Sequence, residues 1–131
     1  MNRPRILLAD DHIPVLGRLM SILSAQFEVI GTVSDGRSLV REAKRLHPDV
    51  IVLDITMPIM TGIDAAHELR EAGCPAKLVF LTVHQDSAFV NACFAEGGLG
   101  YVTKARLPID IITAINEALS GQRFISPLAS H

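Results

Sequence analysis

One stretch of the sequence decides the fold: Val50-Ile51-Val52-Leu53-Asp54-Ile55-Thr56-Met57-Pro58. Its first four residues are all apolar, which is typical of a strand that is covered on both faces. Two other runs have the same form, Ile6-Leu7-Leu8-Ala9 and Leu78-Val79-Phe80-Leu81. Strands buried on both faces are characteristic of parallel sheets, so we predict a parallel sheet with helices on either side.

Two weaker strands extend this sheet, at residues 27–33 and 100–103, where Tyr101 and Val102 favour β structure. Helical patterns lie between the strands. They are found at residues 37–46, 63–71, 87–96 and 108–119, and in an apolar stripe formed by Leu16, Leu19, Met20, Leu23 and Phe27. Five strands that alternate with five helices predict right-handed βαβ units. The predicted fold class is therefore α/β, with a doubly wound five-stranded parallel sheet.

The composition indicates one globular domain and gives no sign of a membrane or nucleic-acid-binding protein. The 131 residues are enough for a single core, and 12 basic against 14 acidic residues give a net charge of -2. No apolar run approaches the length of a membrane-spanning helix. Cys74 and Cys93 lack metal-binding or redox spacing, so we expect them to be small apolar side chains. We therefore expect a cytoplasmic protein with no membrane partner.

Polar side chains stand at the carboxyl ends of four predicted strands, which is where α/β sheets bind their ligands. Asp10 and Asp11 follow the first strand, and Asp54 follows the third. Thr82 ends the fourth strand, and Lys104 follows the fifth. Since these strands can be neighbours in a doubly wound sheet, we expect three carboxylates, a hydroxyl and an ammonium to meet in one crevice.

This set of side chains suits phosphoryl chemistry with a divalent cation. Three carboxylates in one crevice repel one another, and a cation relieves that repulsion. Mg²⁺ prefers hard oxygen ligands and takes few protein carboxylates. A carboxylate can also be the nucleophile that forms an aspartyl phosphate, a reaction that depends mainly on positioning and charge neutralisation. Asp54, on the central strand, is the candidate nucleophile, and Lys104 would carry the opposing charge.

Each of these residues also has an ordinary structural explanation when taken alone. Aspartate at a strand end is a common turn or N-cap residue, and Asp11 could simply cap the first helix. Thr82 could be a β-branched strand residue, Tyr101 a half-buried aromatic and Lys104 a solvated loop charge. The agreement of four strand ends is what favours a functional site.

The chain resembles the receiver domains of bacterial response regulators over nearly all of its length. The resemblance rests on Asp10-Asp11, on Leu53-Asp54-Ile55-Thr56-Met57-Pro58 running on to Gly62, on Leu81-Thr82, and on Gly100-Tyr101-Val102-Thr103-Lys104. Two further stretches, Leu81-Thr82-Val83-His84 and Gly121-Gln122-Arg123-Phe124-Ile125-Ser126-Pro127, are most similar to the NarL/FixJ subfamily. The resemblance implies the flavodoxin-like strand order 2-1-3-4-5.

The resemblance also implies a role for each residue of the crevice. Asp54 would accept a phosphoryl group, in a signalling switch rather than a turnover enzyme. Asp11, Asp54 and the backbone carbonyl of Thr56 would bind Mg²⁺, with Asp10 as a supporting acid. Lys104 would contact the phosphoryl group.

A switch pair and a set of partners are implied in the same way. Thr82 and Tyr101 would report phosphorylation to the face formed by the fourth helix, the fifth strand and the fifth helix. The phosphoryl donor would be a cognate sensor histidine kinase, and phosphorylation would promote a homodimer. DNA would be contacted only through a C-terminal LuxR-type helix-turn-helix that this chain does not contain.

Two departures from the family pattern affect these expectations. Ala105 follows Lys104 where many receivers have proline after a cis peptide bond, so the sequence leaves the geometry of that bond open. No DNA-binding domain follows Pro127 within these 131 residues, so we expect either a natural single-domain regulator or a chain that ends at the linker, and the subfamily resemblance favours the second. We therefore expect a receiver domain at residues 1–122 and the start of a linker at residues 123–131.

Two other functions are weighed against this one. A haloacid-dehalogenase-type phosphohydrolase also uses a strand-end aspartate and magnesium, but it normally has a second acid two residues later, where this chain has Thr56. A nucleotide-binding module needs a glycine-rich turn after the first strand, where this chain has Asp10-Asp11-His12-Ile13-Pro14. The stoichiometry of phosphorylation distinguishes a receiver from a phosphohydrolase. A receiver takes about one phosphoryl group and stops, whereas a hydrolase turns over many substrate molecules.

Overall fold

Six parallel strands form the sheet of the computed structural model, which describes residues 2–128. The strands are β1 (Arg5–Ala9), β2 (Glu28–Val33), β3 (Val50–Leu53), β4 (Lys77–Thr82), β5 (Gly98–Thr103) and β6 (Phe124–Ile125). Their order in the sheet is β2-β1-β3-β4-β5-β6. The predicted order 2-1-3-4-5 is therefore confirmed, and a sixth strand is added at its edge.

Five helices connect the strands and cover both faces of the sheet. They are α1 (Ile13–Leu23), α2 (Gly36–Leu46), α3 (Gly62–Glu71), α4 (Ser87–Ala95) and α5 (Leu107–Leu119). Helices α1 and α5 pack on one face, and α2, α3 and α4 pack on the other. Along β3, Val50 and Val52 face the first group while Ile51 and Leu53 face the second. This double covering explains why the strand has no polar residue.

The apolar stripe predicted for α1 is correct in part. Leu16, Leu19 and Leu23 are buried, but Met20 is 46 % exposed. Met20 lies about 100° around the helix from Leu19, at the edge of the buried stripe. Phe27 is buried although the helix ends at Leu23, because its backbone N–H donates to the Leu23 carbonyl at 2.9 Å and keeps it against the same cluster.

The sixth strand lies in the segment expected to begin a linker. Phe124 pairs with Gly100 and Ile125 pairs with Tyr101, both on β5. The Arg123 guanidinium lies over the Phe94 ring, 4.7 Å from its centroid. Ordered structure thus continues past residue 122, and the predicted five-stranded sheet gains a short sixth strand at its edge. Residues 129–131 lie outside the described part, and the position of the domain boundary stays a prediction.

Two further expectations concern the cysteines and the membrane. Cys93 is fully buried in the core, as predicted for a small apolar side chain, whereas Cys74 is only half-buried. Within residues 2–128, every helix is too short or too polar to cross a bilayer.

Candidate functional site

The predicted crevice is present at the carboxyl edge of the sheet. Because β1, β3, β4 and β5 are consecutive neighbours and all run parallel, their carboxyl ends lie side by side. Asp10, Asp11 and Asp54 each present a carboxylate oxygen within 4.8 Å of the other two. Lys104 Nζ lies 2.9 Å from Asp10 Oδ2 and 3.0 Å from Asp54 Oδ2. The structure therefore brings these four residues together.

The backbone of Asp54 is held by its neighbours on both sides. Its N–H donates to the Ala9 carbonyl on β1 at 2.9 Å. The loop after it folds back, and Gly62 N–H donates to the Ile55 carbonyl at 2.8 Å. A Cβ atom at position 62 would lie only 1.9 Å from the Asp54 carbonyl oxygen. Glycine is therefore required where α3 begins, because any side chain there would displace Asp54.

Burial and charge act in opposite directions on the central carboxylate. Asp54 is 6 % exposed, and its burial raises its pKa above the ordinary value. Lys104 opposes that rise and the neighbouring Asp10 adds to it, so the pKa of Asp54 remains raised. Burial also disfavours the charged form of Lys104, but its contacts with the two carboxylates prevail and raise its pKa. Lys104 is therefore held as a cation between two acids.

The acidic cluster fits a divalent cation. Asp10 is 1 % exposed, and its Oδ1 accepts the N–H of His12 at 2.8 Å. Its Oδ2 forms the 2.9 Å ion pair with Lys104, and no other contact to this oxygen is seen among the described residues. Three carboxylates share one ammonium here, so the crevice keeps excess negative charge that a divalent cation would offset. Since all the donors are hard oxygens, the cluster could hold a metal ion of the Mg²⁺ type.

Thr82 and Tyr101 are both fully buried beside the crevice. The ordinary structural explanation of Tyr101, a half-buried aromatic residue, is therefore wrong. Thr82 Oγ1 accepts the N–H of His84 at 3.2 Å. The Tyr101 hydroxyl donates to the His84 carbonyl at 2.8 Å. The structure thus has the tyrosine ring turned inward, and one residue of the β4–α4 loop joins the two side chains.

His84 also reaches across the mouth of the crevice, a contact that the sequence analysis missed. Its Nε2 lies 3.1 Å from Thr56 Oγ1, in the loop that follows Asp54. The imidazole stacks on Phe89, with 4.1 Å between ring centroids. Its position two residues after Thr82 was the available signal, but the sequence gives no indication that two loops meet there.

The peptide bond between Lys104 and Ala105 is trans, as are all peptide bonds in residues 2–128. Lys104 opens a single turn of 3-10 helix, Lys104–Arg106, which connects β5 directly to α5. The departure from the family pattern at Ala105 therefore leaves the lysine side chain in the crevice.

Fold and site together define a doubly wound α/β protein with a lysine-bearing acidic crevice at its strand ends. Residues 6–116 match the family of the response regulator receiver domain. The chain therefore belongs to this family, and the resemblance to its NarL/LuxR type is confirmed by the regulators that it matches.

Two relatives and one solved structure illustrate the match. The chain is 33 % identical over 124 residues to the transcriptional regulatory protein DesR of Bacillus subtilis, covering 93 % of this chain and 61 % of DesR. It is 32 % identical over 125 residues to the uncharacterized transcriptional regulatory protein YvfU of the same organism, covering 94 % of this chain and 62 % of YvfU. A LuxR-family response regulator from Aurantimonas superposes with a TM-score of 0.90 at 33 % identity, covering 96 % of this chain and 91 % of that one. The chain thus spans less than two thirds of the length of these two regulators.

Proposed function

We propose that this receiver domain accepts a phosphoryl group on Asp54 and so acts as a signalling switch. The observation that carries the proposal is the contact of Asp54 Oδ2 with Lys104 Nζ at 3.0 Å, in a crevice that also holds Asp10 and Asp11. Asp54 is thus buried at a strand end, paired with a fixed cation and grouped with two further carboxylates. Membership of the receiver family supports the same role.

In the proposed reaction, a carboxylate oxygen of Asp54 attacks the phosphorus of a phosphohistidine on a sensor kinase. The bond from phosphorus to the imidazole nitrogen breaks, and the electron pair returns to the imidazole. The product is an acyl phosphate on Asp54, which releases its phosphate slowly to water. This chemistry requires positioning and charge neutralisation more than proton transfer.

The residues around Asp54 divide this work. Lys104 places its ammonium where negative charge grows on the phosphoryl oxygens, and Asp10 holds the ammonium there through the 2.9 Å ion pair. Asp11, Asp54 and the backbone carbonyl of Thr56 would hold Mg²⁺, with Asp10 in support. Mg²⁺ bound there supplies positive charge that offsets the carboxylates and the incoming phosphoryl oxygens.

Thr82 and Tyr101 are the proposed switch pair. The Thr82 hydroxyl would donate to a phosphoryl oxygen and draw the β4–α4 loop toward Asp54. That loop carries the His84 carbonyl to which the Tyr101 hydroxyl donates, so its position decides how well the inward ring is held. Phosphorylation would then raise the population of the inward conformer by the difference in interaction energy between the two states.

We propose that the effect of phosphorylation on transcription is exerted by a domain outside this chain. The relatives that match it are named as transcriptional regulatory proteins and are longer than it is. We infer a cytoplasmic regulator that contacts DNA through a separate C-terminal domain, with a histidine kinase as donor and a homodimer as the phosphorylated form.

Incubation with acetyl phosphate and Mg²⁺, followed by intact-mass measurement, tests the acceptor role. We expect one phosphoryl group on the parent and none on Asp54→Asn. Asp64→Asn is a matched control, because Asp64 lies in the first turn of α3 outside the crevice. Repeated turnover of the donor by the parent would instead favour a hydrolase, and equal labelling of Asp54→Asn would refute the proposal.

A further inference from the structure

Lys104 reaches the crevice from a very short element. The 3-10 turn that it opens has three residues, and Leu107 N–H closes it by donating to the Lys104 carbonyl. A single turn of this kind has poor hydrogen-bond geometry and little stability of its own. Its neighbours must therefore fix the direction in which the lysine side chain leaves the backbone.

Ser126 holds the strand side of this turn. It follows β6 and is 1 % exposed. Its Oγ accepts the N–H of Thr103, the residue before Lys104, at 3.2 Å. Its own N–H donates to the Tyr101 carbonyl at 2.8 Å, which keeps the segment in register with β5. The last residue of β5 is thus tied to a segment more than twenty residues away in the sequence.

Asp110 holds the helix side of the same turn. It lies in the first turn of α5, is 6 % exposed, and accepts the Arg106 guanidinium at 2.8 and 3.3 Å. The Ser126 hydroxyl donates to the same carboxylate at 2.7 Å. The Arg106 contact, helped by Ser126, keeps the pKa of Asp110 low, so the carboxylate is charged. These contacts form a continuous clamp, Thr103 to Ser126 to Asp110 to Arg106, around Lys104.

We infer that Ser126 and Asp110 are positioning residues for Lys104, and that the segment after α5 is therefore part of the acceptor site. Thr103, Ser126 and Asp110 are buried and Arg106 is partly exposed, and the clamp joins the residue before Lys104 to the last residue of its turn. Among the described residues, neither Ser126 nor Asp110 forms a hydrogen bond or ion pair with Asp10, Asp11 or Asp54, so any effect on phosphorylation must pass through Lys104. This inference rests on the proposed acceptor function of Asp54.

Ser126→Ala tests the clamp, with Ser120→Ala as a matched control at the exposed end of α5. The readouts are the rate of labelling by acetyl phosphate at saturating Mg²⁺ and, separately, the Mg²⁺ affinity from calorimetry. We expect Ser126→Ala to be labelled roughly threefold to tenfold more slowly, below the ~100-fold that a 1 Å misplacement of a reacting group can cost. Its Mg²⁺ affinity should not fall, because a loosened Lys104 repels the cation less. Ser120→Ala should match the parent in both.

A double variant that combines Ser126→Ala with Lys104→Ala distinguishes a positioning effect on Lys104 from a general loss of structure around the site. If Ser126 acts through Lys104, Ser126→Ala should cause no further slowing in the Lys104→Ala background. Parent-like labelling of Ser126→Ala, additive slowing in the double variant, or loss of Mg²⁺ affinity together with rate would each overturn the inference. If Ser126→Ala does not fold, Arg106→Gln opens the same clamp from a partly exposed position and is judged by the same criteria. An unlabelled parent, or a Lys104→Ala variant as fast as the parent, would instead refute the proposed function.

Discussion

Adding one methyl group at position 62 tests whether the backbone of Asp54 has to stay where it is. In Gly62→Ala the new Cβ would lie 1.9 Å from the Asp54 carbonyl oxygen and 2.9 Å from its carbonyl carbon. Carbon and oxygen normally approach to about 3.3 Å in weak contacts, so the two backbones must separate by more than roughly 1 Å. The obstacle is backbone rather than a flexible side-chain end, so a rotamer change cannot relieve it.

Two separate effects should follow from this displacement, one on stability and one on the labelling rate. Forcing extra volume into a packed site costs about 1 to 3 kcal/mol of unfolding free energy. Moving the nucleophile by about 1 Å slows labelling of Asp54 by up to roughly 100-fold. The second effect is specific to the site, because it concerns the reacting carboxylate rather than the fold as a whole.

Gly17→Ala is the matched control. Gly17 is an exposed residue of α1, and its Cβ would meet nothing within 4 Å in the described part of the chain. The unfolding free energy of this variant should rise by about 0.5 to 1 kcal/mol, because alanine is more stable than glycine in the interior of a helix. Urea unfolding and acetyl phosphate labelling, measured on both variants, make the comparison. A folded Gly62→Ala that is labelled at the parent rate would show that the reasoning about Asp54 is wrong.

Three other perturbations have expected outcomes. Thr82→Ala should still be labelled, but beryllofluoride should shift the NMR signals of α4 and β5 far less than in the parent, since a hydrogen bond to a charged group contributes roughly 1.5 to 3 kcal/mol; a parent-like shift would contradict the coupling. Asp54→Asn should be more stable than the parent at neutral pH, because burial raises the pKa of Asp54 and the folded parent therefore loses stability as pH rises above the ordinary value of 3.8. That advantage should vanish in urea unfolding below this pH, and an advantage independent of pH would refute the assignment. Deleting residues 123–131 removes β6 and the Ser126 hydrogen bonds and should lower the unfolding free energy by roughly 2 to 4 kcal/mol; an unchanged urea midpoint would mean that the segment contributes nothing to the fold.

The sheet could be predicted because its strands carry an unambiguous local pattern. Each residue of β3 is buried on one face or the other, so the strand is an unbroken apolar run that ends at Asp54. Once the strand ends were located, parallel topology alone placed Asp10, Asp54 and Lys104 at one edge. The acidic crevice thus followed from local pattern and connectivity together.

Other features depend on long-range contacts that no local pattern reports. Strand β6 has two residues, too few for any periodicity, and forms only because β5 offers it an edge. Asp110 looks like an ordinary acid in the first turn of a helix. Its burial becomes apparent only when Ser126, sixteen residues later, returns to donate to it. The contact of His84 with Thr56 likewise joins two loops that are distant in sequence.

Chemical mapping of the labelled residue tests the central claim most directly. Borohydride reduces an acyl phosphate to an alcohol, whereas free carboxylates do not react, so a phosphorylated aspartate becomes homoserine. Protein labelled with acetyl phosphate and Mg²⁺ would be reduced, digested and sequenced by tandem mass spectrometry. We expect homoserine at position 54 and intact aspartate at positions 10 and 11. Homoserine at either of those two positions, or an unreduced Asp54 in labelled protein, would contradict it.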